Sequence, residues 1–209
     1  MAARIFPELS ESYVLPSLGL RGPVVYEAVA AGEGAREFLA ARLLKALAIL
    51  SPEWAGALEW GALVLEASPL GQPCLKLGDK PGPSLSFSEA GDLLWGAVTG
   101  CGQVGVDAAR KEDFVPPYPY SRAFGPEEWD WAWRHCQGQT TAAAALLWAA
   151  KEAAVKALGT GFHTMDPRDL EVALLVPAWE GLTLAVQGQG AVSAWARPLA
   201  DGWLALAAV

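Results

Sequence analysis

The run from Thr140 to Leu158 constrains this chain more than any other segment, because it is built of alanine, leucine and tryptophan and holds no proline or glycine until Gly159. Alanine and leucine are the strongest helix formers, Thr140 or Thr141 supplies a capping hydroxyl, and Gly159 and Gly161 stop the element. The spacing places Leu147, Ala154 and Leu158 on one face. Glu152 and Lys156, four residues and about 40° of rotation apart, project from nearly the opposite side and can serve one site.

The rest of the chain alternates strands and helices. A breaker run from Gly19 to Pro23 precedes a β-like segment, Val24 to Ala30, which Gly32 and Gly34 end. From Ala35 to Leu50, Phe38, Leu39, Leu43, Leu47 and Leu50 recur at helical spacing, and Ser51 and Pro52 stop the helix. A strand is expected over Leu58 to Glu66. Ser68 to Pro83, with four prolines and three glycines, reads as a long loop. Leu93 to Thr99 and Val104 to Asp107 read as a hairpin around Gly100 to Gly102, with Asp107 at a strand end. Gly125 and Pro126, followed by Glu127 and Glu128, open a short helix that Gly138 closes. Four β-like runs follow, Leu170 to Val176, Leu182 to Val186, Ala191 to Ala196 and Trp203 to the end. The fold class expected is α+β, two similar α/β subdomains packed together in a pseudo-twofold arrangement, with residues 1–102 forming the first and 103–209 the second.

Composition narrows the function. A hydrophobic content of 53% over 209 residues supports a globular core without covalent staples. The three cysteines, Cys74, Cys101 and Cys136, form no CxxC pair, so neither a disulfide framework nor a zinc knuckle is indicated, and a cytoplasmic location is expected. Met1 to Ser10 lacks the apolar core of a secretory signal. Ala142 to Ala150, the longest apolar stretch, is well short of the ~20 residues that span a bilayer. A net charge of −8 disfavours general affinity for nucleic acid or an anionic membrane. Arg36, Arg42 and Lys45 can nevertheless share one side of a helix, either as a local basic rim or as a solvated face.

Two acidic residues carry the chemical interest. A Glu152–Lys156 spacing is also that of an ordinary surface pair, worth ~0.2–0.5 kcal/mol, and Asp107 alone could be a turn residue. Together, Asp107 and Glu152 match what magnesium asks of a protein, one or two carboxylates with water and substrate phosphates completing the octahedron.

The stretches Gly105-Val106-Asp107 and Trp148-x-x-Lys151-Glu152-Ala153-x-x-Lys156 resemble the paired signature of the 4′-phosphopantetheinyl transferase superfamily, in order and in separation. Gly71-Gln72-Pro73 is similar to that family's Gly-Lys-Pro turn, and Phe87 to Asp92 to its Ser-His-Ser segment. The resemblance covers roughly residues 35 to 165 and fits the two-lobed, monomeric branch. It implies transfer of the 4′-phosphopantetheine group from coenzyme A to a serine of an apo-acyl or peptidyl carrier protein, dependent on magnesium. It also implies that Asp107 and Glu152 hold the metal, that Glu152 and Lys156 are catalytic, and that Lys151, Lys156, Ser88 and Arg42 contact coenzyme A.

Three positions depart from the family pattern. Ala109 stands where many relatives carry a third acid, and Gln72 and Glu89 replace a lysine and a histidine that contact the 3′-phosphate of coenzyme A. A hydrogen bond to a charged group contributes ~1.5–3 kcal/mol, so both losses together weaken binding by about 10² to 10⁴ unless Lys76 or Lys80 compensates. The departures leave a second reading open, a catalytically degenerate relative that binds a partner.

Other features carry less. His135, Cys136 and His163 lack a third ligand or orienting acid at a recognisable spacing. No GxxxxGK[ST] loop or GxGxxG after a strand is present. Of the 10 tryptophans, Trp129, Trp131 and Trp133 fall on one short helix, as core or, if exposed, as a docking surface for the carrier.

Overall fold

A computed structural model describes residues 14–15, 18, 22–56, 63–69, 71–178, 181–188 and 190–209. The Met1 to Ser10 reading and the first part of the Leu58 to Glu66 strand lie outside these residues.

Two antiparallel sheets face each other, and each carries a helix on its outer side. In the first sheet the strand order is β1 (Val14–Leu15), β2 (Val24–Ala30), β7 (Leu93–Thr99) and β6 (Ser84–Ala90). Alternation within β2 and β7 sets the layers. Val25, Leu94 and Val98 point to the helix α1 (Ala35–Leu50) and meet its Leu39, Leu43 and Leu47, while Val24, Tyr26, Trp95 and Ala97 point inward. The second sheet runs β8 (Val104–Arg110), β12 (Gly202–Ala208), β11 (Ala191–Pro198), β10 (Gly181–Gln187) and β9 (Glu171–Ala178). Its Val106, Leu204 and Leu206 meet the inner face of the first sheet. Ala205 and Ala207, on the other face, pack under the helix α4 (Thr140–Ala157).

The mixed α+β class is as expected. The helices and the strands after residue 170 fall close to their anticipated bounds, the strands extended by one or two residues where the ladders continue. α3 (Pro126–His135) opens with proline in its first turn, and the Glu128 carboxylate accepts the Gly125 N–H at 2.7 Å. Between α3 and β8 lie a 3-10 turn, Lys111–Phe114, and the one-turn helix α2 (Tyr120–Ala123). No helix among the described residues is long and apolar enough to cross a membrane.

Three expectations require correction. Ser68 to Pro83 is not a plain loop: β4 (Pro73–Leu77) pairs with β3 (Leu63–Ala67) and with β5 (Lys80–Pro81), and Leu75 and Leu77 pack toward α1. Its turn-rich composition masks short strands between the breakers. Next, β7 and β8 do not form a hairpin. Both edges of β7 are taken, by β2 and β6, so β8 crosses to the second sheet and pairs with β12. Lastly, Asp107 sits in the middle of β8, opposite Ala205, because the strand continues to Arg110.

The two sheets are sewn together beside the crossing. Ser84, Ser86 and Ser88, alternate residues of β6, accept the backbone N–H groups of Val104, Val106 and Ala108 through their hydroxyl oxygens, each at 3.1 Å. Side chains thus satisfy donors that no neighbouring strand reaches.

Candidate active site

Alternation along β8 aims Gly105, Asp107 and Ala109 at α4, while Val104, Val106 and Ala108 enter the inter-sheet core. Gly105 is where strand and helix backbones touch. A Cβ there would lie 1.9 Å from the Ala153 carbonyl oxygen and 2.7 Å from the Ala157 nitrogen, so only glycine fits. The close approach brings Asp107, 7% exposed, under the end of α4.

Asp107 Oδ1 accepts two hydrogen bonds, from Lys156 Nζ at 2.7 Å and from the Ser88 hydroxyl at 2.9 Å. Lys156 also donates to the Val106 carbonyl at 3.1 Å. Trp148, Glu152 and Lys156 succeed one another at helical spacing and line the same cleft. Glu152 is half-buried. Burial first, and then the negative charge of Asp107, raise its pKa above the ordinary value of 4.5, with the Lys156 ammonium acting in the opposite direction.

Two hollows meet at these residues. One, about 650 Å³, is lined by Ser88, Asp107, Tyr118, Trp148, Glu152 and Lys156 among others. The second, about 440 Å³, is lined by Gln72, Thr160 and His163, and shares Arg36, Phe87, Glu152 and Lys156 with the first. Glu152 and Lys156 therefore stand at the joint, where a long ligand would have its middle.

The other anticipated contacts fall less uniformly. Ser88 is at the site. Lys151 is not: it has no exposed surface, and its ammonium donates to the Glu128 carboxylate at 2.5 Å and to the carbonyls of Ala123 and Pro167 at 2.9 Å. Burial lowers its pKa against the opposing charge of Glu128. A side chain so enclosed cannot reach coenzyme A from the cleft. Arg42 pairs with the buried Glu27 on the first sheet and lines neither hollow. Gln72 uses its amide to donate to the Lys156 carbonyl at 3.2 Å, which pins the Gly71 turn to the end of α4. Lys76 pairs with Glu66 at 2.7 Å.

Arg36, in the first turn of α1, lines both hollows and binds Glu89 at 2.9 Å, with both side chains more than half exposed. The sequence groups it with Arg42 and Lys45, and of the three only Arg42 is expected at coenzyme A. The helical period in fact sets Arg36 about 180° from Lys45 and about 120° from Arg42 around α1, while its place at the cleft depends on how α1 lies across the first sheet.

Among the described residues no group of three or more His, Cys, Asp or Glu stands close enough to hold a metal ion. Asp107 and Glu152 nevertheless suit a cation that takes most of its oxygens from phosphate and water. They are two carboxylates on one cavity, and the charge of one already disfavours ionisation of the other, a repulsion that a bound cation removes. Cys136 is a buried thiol pushed up to about 11 by burial, and neighbouring His135 lies against Trp203. On α3, Trp131 donates to the Val172 carbonyl at 2.9 Å and Trp129 stacks on Phe124. Trp133 is the most exposed of the three.

Residues 103–205 match the family model described as the 4′-phosphopantetheinyl transferase superfamily. No curated protein matches the chain. The matched span holds Asp107, Glu152 and Lys156, with the strand and helix that bring them together. Residues 103–205 thus form a domain of the 4′-phosphopantetheinyl transferase superfamily.

Proposed function

We propose that the protein transfers the 4′-phosphopantetheine group of coenzyme A to a serine of an apo-acyl or peptidyl carrier protein, with a magnesium ion held by Asp107 and Glu152. The superfamily is one of phosphopantetheine transfer. The observation that carries the finer reading is the convergence of Asp107, Glu152 and Lys156 at the joint of two hollows.

Bound between the two carboxylates, magnesium would supply charge neutralisation at the pyrophosphate of coenzyme A. The chain's own residues account for the remainder. Lys156 holds Asp107 and the Val106 carbonyl with two of its ammonium protons and has a third for a phosphate oxygen. Ser88 fixes the other side of Asp107. Glu152, with its raised pKa, is suited to accept the proton of the carrier serine as the serine oxygen bonds to the pantetheine-side phosphorus. The pyrophosphate P–O bond breaks and adenosine 3′,5′-bisphosphate leaves. No group on the enzyme is covalently modified.

The proposal extends to a monomer in the cytoplasm with subdomains at residues 1–102 and 103–209. Support comes from the passage of the chain between sheets after Thr99 and from Cys74, Cys101 and Cys136, all free. Incubation with magnesium, coenzyme A and a set of apo-carriers, followed by mass spectrometry, tests the reading. A carrier gaining the mass of one phosphopantetheine supports it, and unchanged masses across acyl and peptidyl carriers contradict it.

A further inference from the structure

α4 lies on the second sheet largely through alanine, with nine buried alanines between Ala142 and Ala157. Methyl groups let the helix lie close on the sheet, as at Gly105, and leave its exact rotation to the few longer buried side chains, Leu146, Leu147, Val155 and Lys151. Yet the site depends on that rotation, since Glu152 and Lys156 must point at Asp107.

Lys151 is the charged one among those longer side chains. Its ammonium is satisfied by three acceptors from three segments: Glu128 on α3, the Ala123 carbonyl at the end of α2, and the Pro167 carbonyl in the 3-10 turn before β9. Glu128 is equally committed. One oxygen takes the Gly125 N–H at 2.7 Å and the other the Val172 N–H at 2.8 Å. The side chains are 0% and 1% exposed. Burying such a pair is often no more stabilising than an apolar pair of the same volume, and the best-attested use of one is to fix register.

We propose that the Lys151–Glu128 pair is a positioning device that sets the rotation of α4 and thereby aims Glu152 and Lys156 at Asp107. Lys151 precedes Glu152 in the chain, about 100° away around the helix, so fixing one fixes the other. A turn of about 15° would carry a carboxylate ~6 Å from the axis by roughly 1.5 Å. Displacements of about 1 Å at a reacting centre can cost ~10²-fold in rate. The kinetic consequence rests on the transfer activity proposed above.

The test replaces the pair with uncharged groups of similar size, in the double variant Glu128→Gln, Lys151→Met. The account expects cooperative unfolding at a lowered melting temperature, because Gln leaves one of the Gly125 and Val172 N–H groups without an acceptor, and, at temperatures where the variant is folded, kcat for transfer reduced about 10- to 100-fold with KM for coenzyme A changed less than about threefold. A second arm needs no activity. The coupling between Asp107→Asn and Lys156→Met in a double-mutant cycle of denaturation is measured in both backgrounds, and it should fall by at least half when the pair is gone. If the double variant does not fold, Glu128→Gln alone takes its place, with reduced kcat expected. Unchanged kcat in either folded variant, or undiminished coupling, overturns the proposal. Absence of transfer by the unaltered protein would instead remove the proposed function, leaving the coupling arm to decide this inference.

Discussion

Replacing Gly105 by alanine adds one methyl group at the point where β8 and α4 touch. That Cβ would fall 1.9 Å from the Ala153 carbonyl oxygen and 2.9 Å from its carbon, and both atoms are helix backbone near the C-terminal end of α4. No rotamer change relieves the clash, so strand and helix must part by about 1.5 Å to restore an ordinary contact. Over-packing of this kind costs ~1–3 kcal/mol. The separation also stretches the 2.7 Å bond between Asp107 and Lys156 well beyond hydrogen-bond length. We therefore expect Gly105→Ala to lose ~1–3 kcal/mol in urea denaturation and about 10²-fold in kcat/KM for transfer. The kinetic loss should persist at temperatures where the variant is fully folded. A folded Gly105→Ala protein with unaltered stability and transfer would refute the idea that this contact builds the site.

Further predictions follow the same geometry. Asp107→Asn and Glu152→Gln should each abolish transfer while leaving the circular dichroism spectrum and cooperative unfolding in place; full activity in either would remove the mechanism. The pKa of Glu152 is raised in the folded protein, so the native state keeps a proton that the unfolded chain has already released. Stability conferred by this group is thus lost as pH climbs from the ordinary carboxylate value of 4.5 through the raised one, and Glu152→Gln should flatten that part of the denaturation profile. An identical pH dependence in the variant would contradict the assignment. Gln72 is committed to the Lys156 carbonyl and Glu89 to Arg36, so coenzyme A and dephospho-coenzyme A should bind with similar affinity in calorimetry. A strong preference for the 3′-phosphorylated form would show otherwise.

The helices were legible because their signals are local. Proline and acids open α3, an unbroken alanine and leucine run defines α4, and heptad-like leucines mark α1. The late strands were legible from glycine punctuation. What misled was everything that needed a distant partner. Leu93 to Thr99 and Val104 to Asp107 sit side by side in sequence, but β2 and β6 occupy both edges of β7, and no pattern in those residues records it. The breakers between Ser68 and Pro83 concealed β4 and β5 because each is only a few residues long.

The site divides in the same way. Helical spacing puts Glu152 and Lys156 on one side of α4, and β alternation puts Asp107 and Gly105 on one side of β8. Lys151 was misplaced because the family resemblance alone assigned it to coenzyme A. The acceptors that claim it, at Ala123, Glu128 and Pro167, are remote in sequence and become neighbours only when α3 and the turn before β9 pack on α4. Arg36 went unassigned for the converse reason, being an exposed helix residue that only the tertiary arrangement brings to the cleft.

Titration of coenzyme A into the protein by calorimetry, with magnesium and with the metal chelated, probes the two-carboxylate centre most directly. The account predicts tight binding that requires magnesium in the unaltered protein, and weak binding indifferent to magnesium in Asp107→Asn. Equal affinity with and without the metal in the unaltered protein would contradict it.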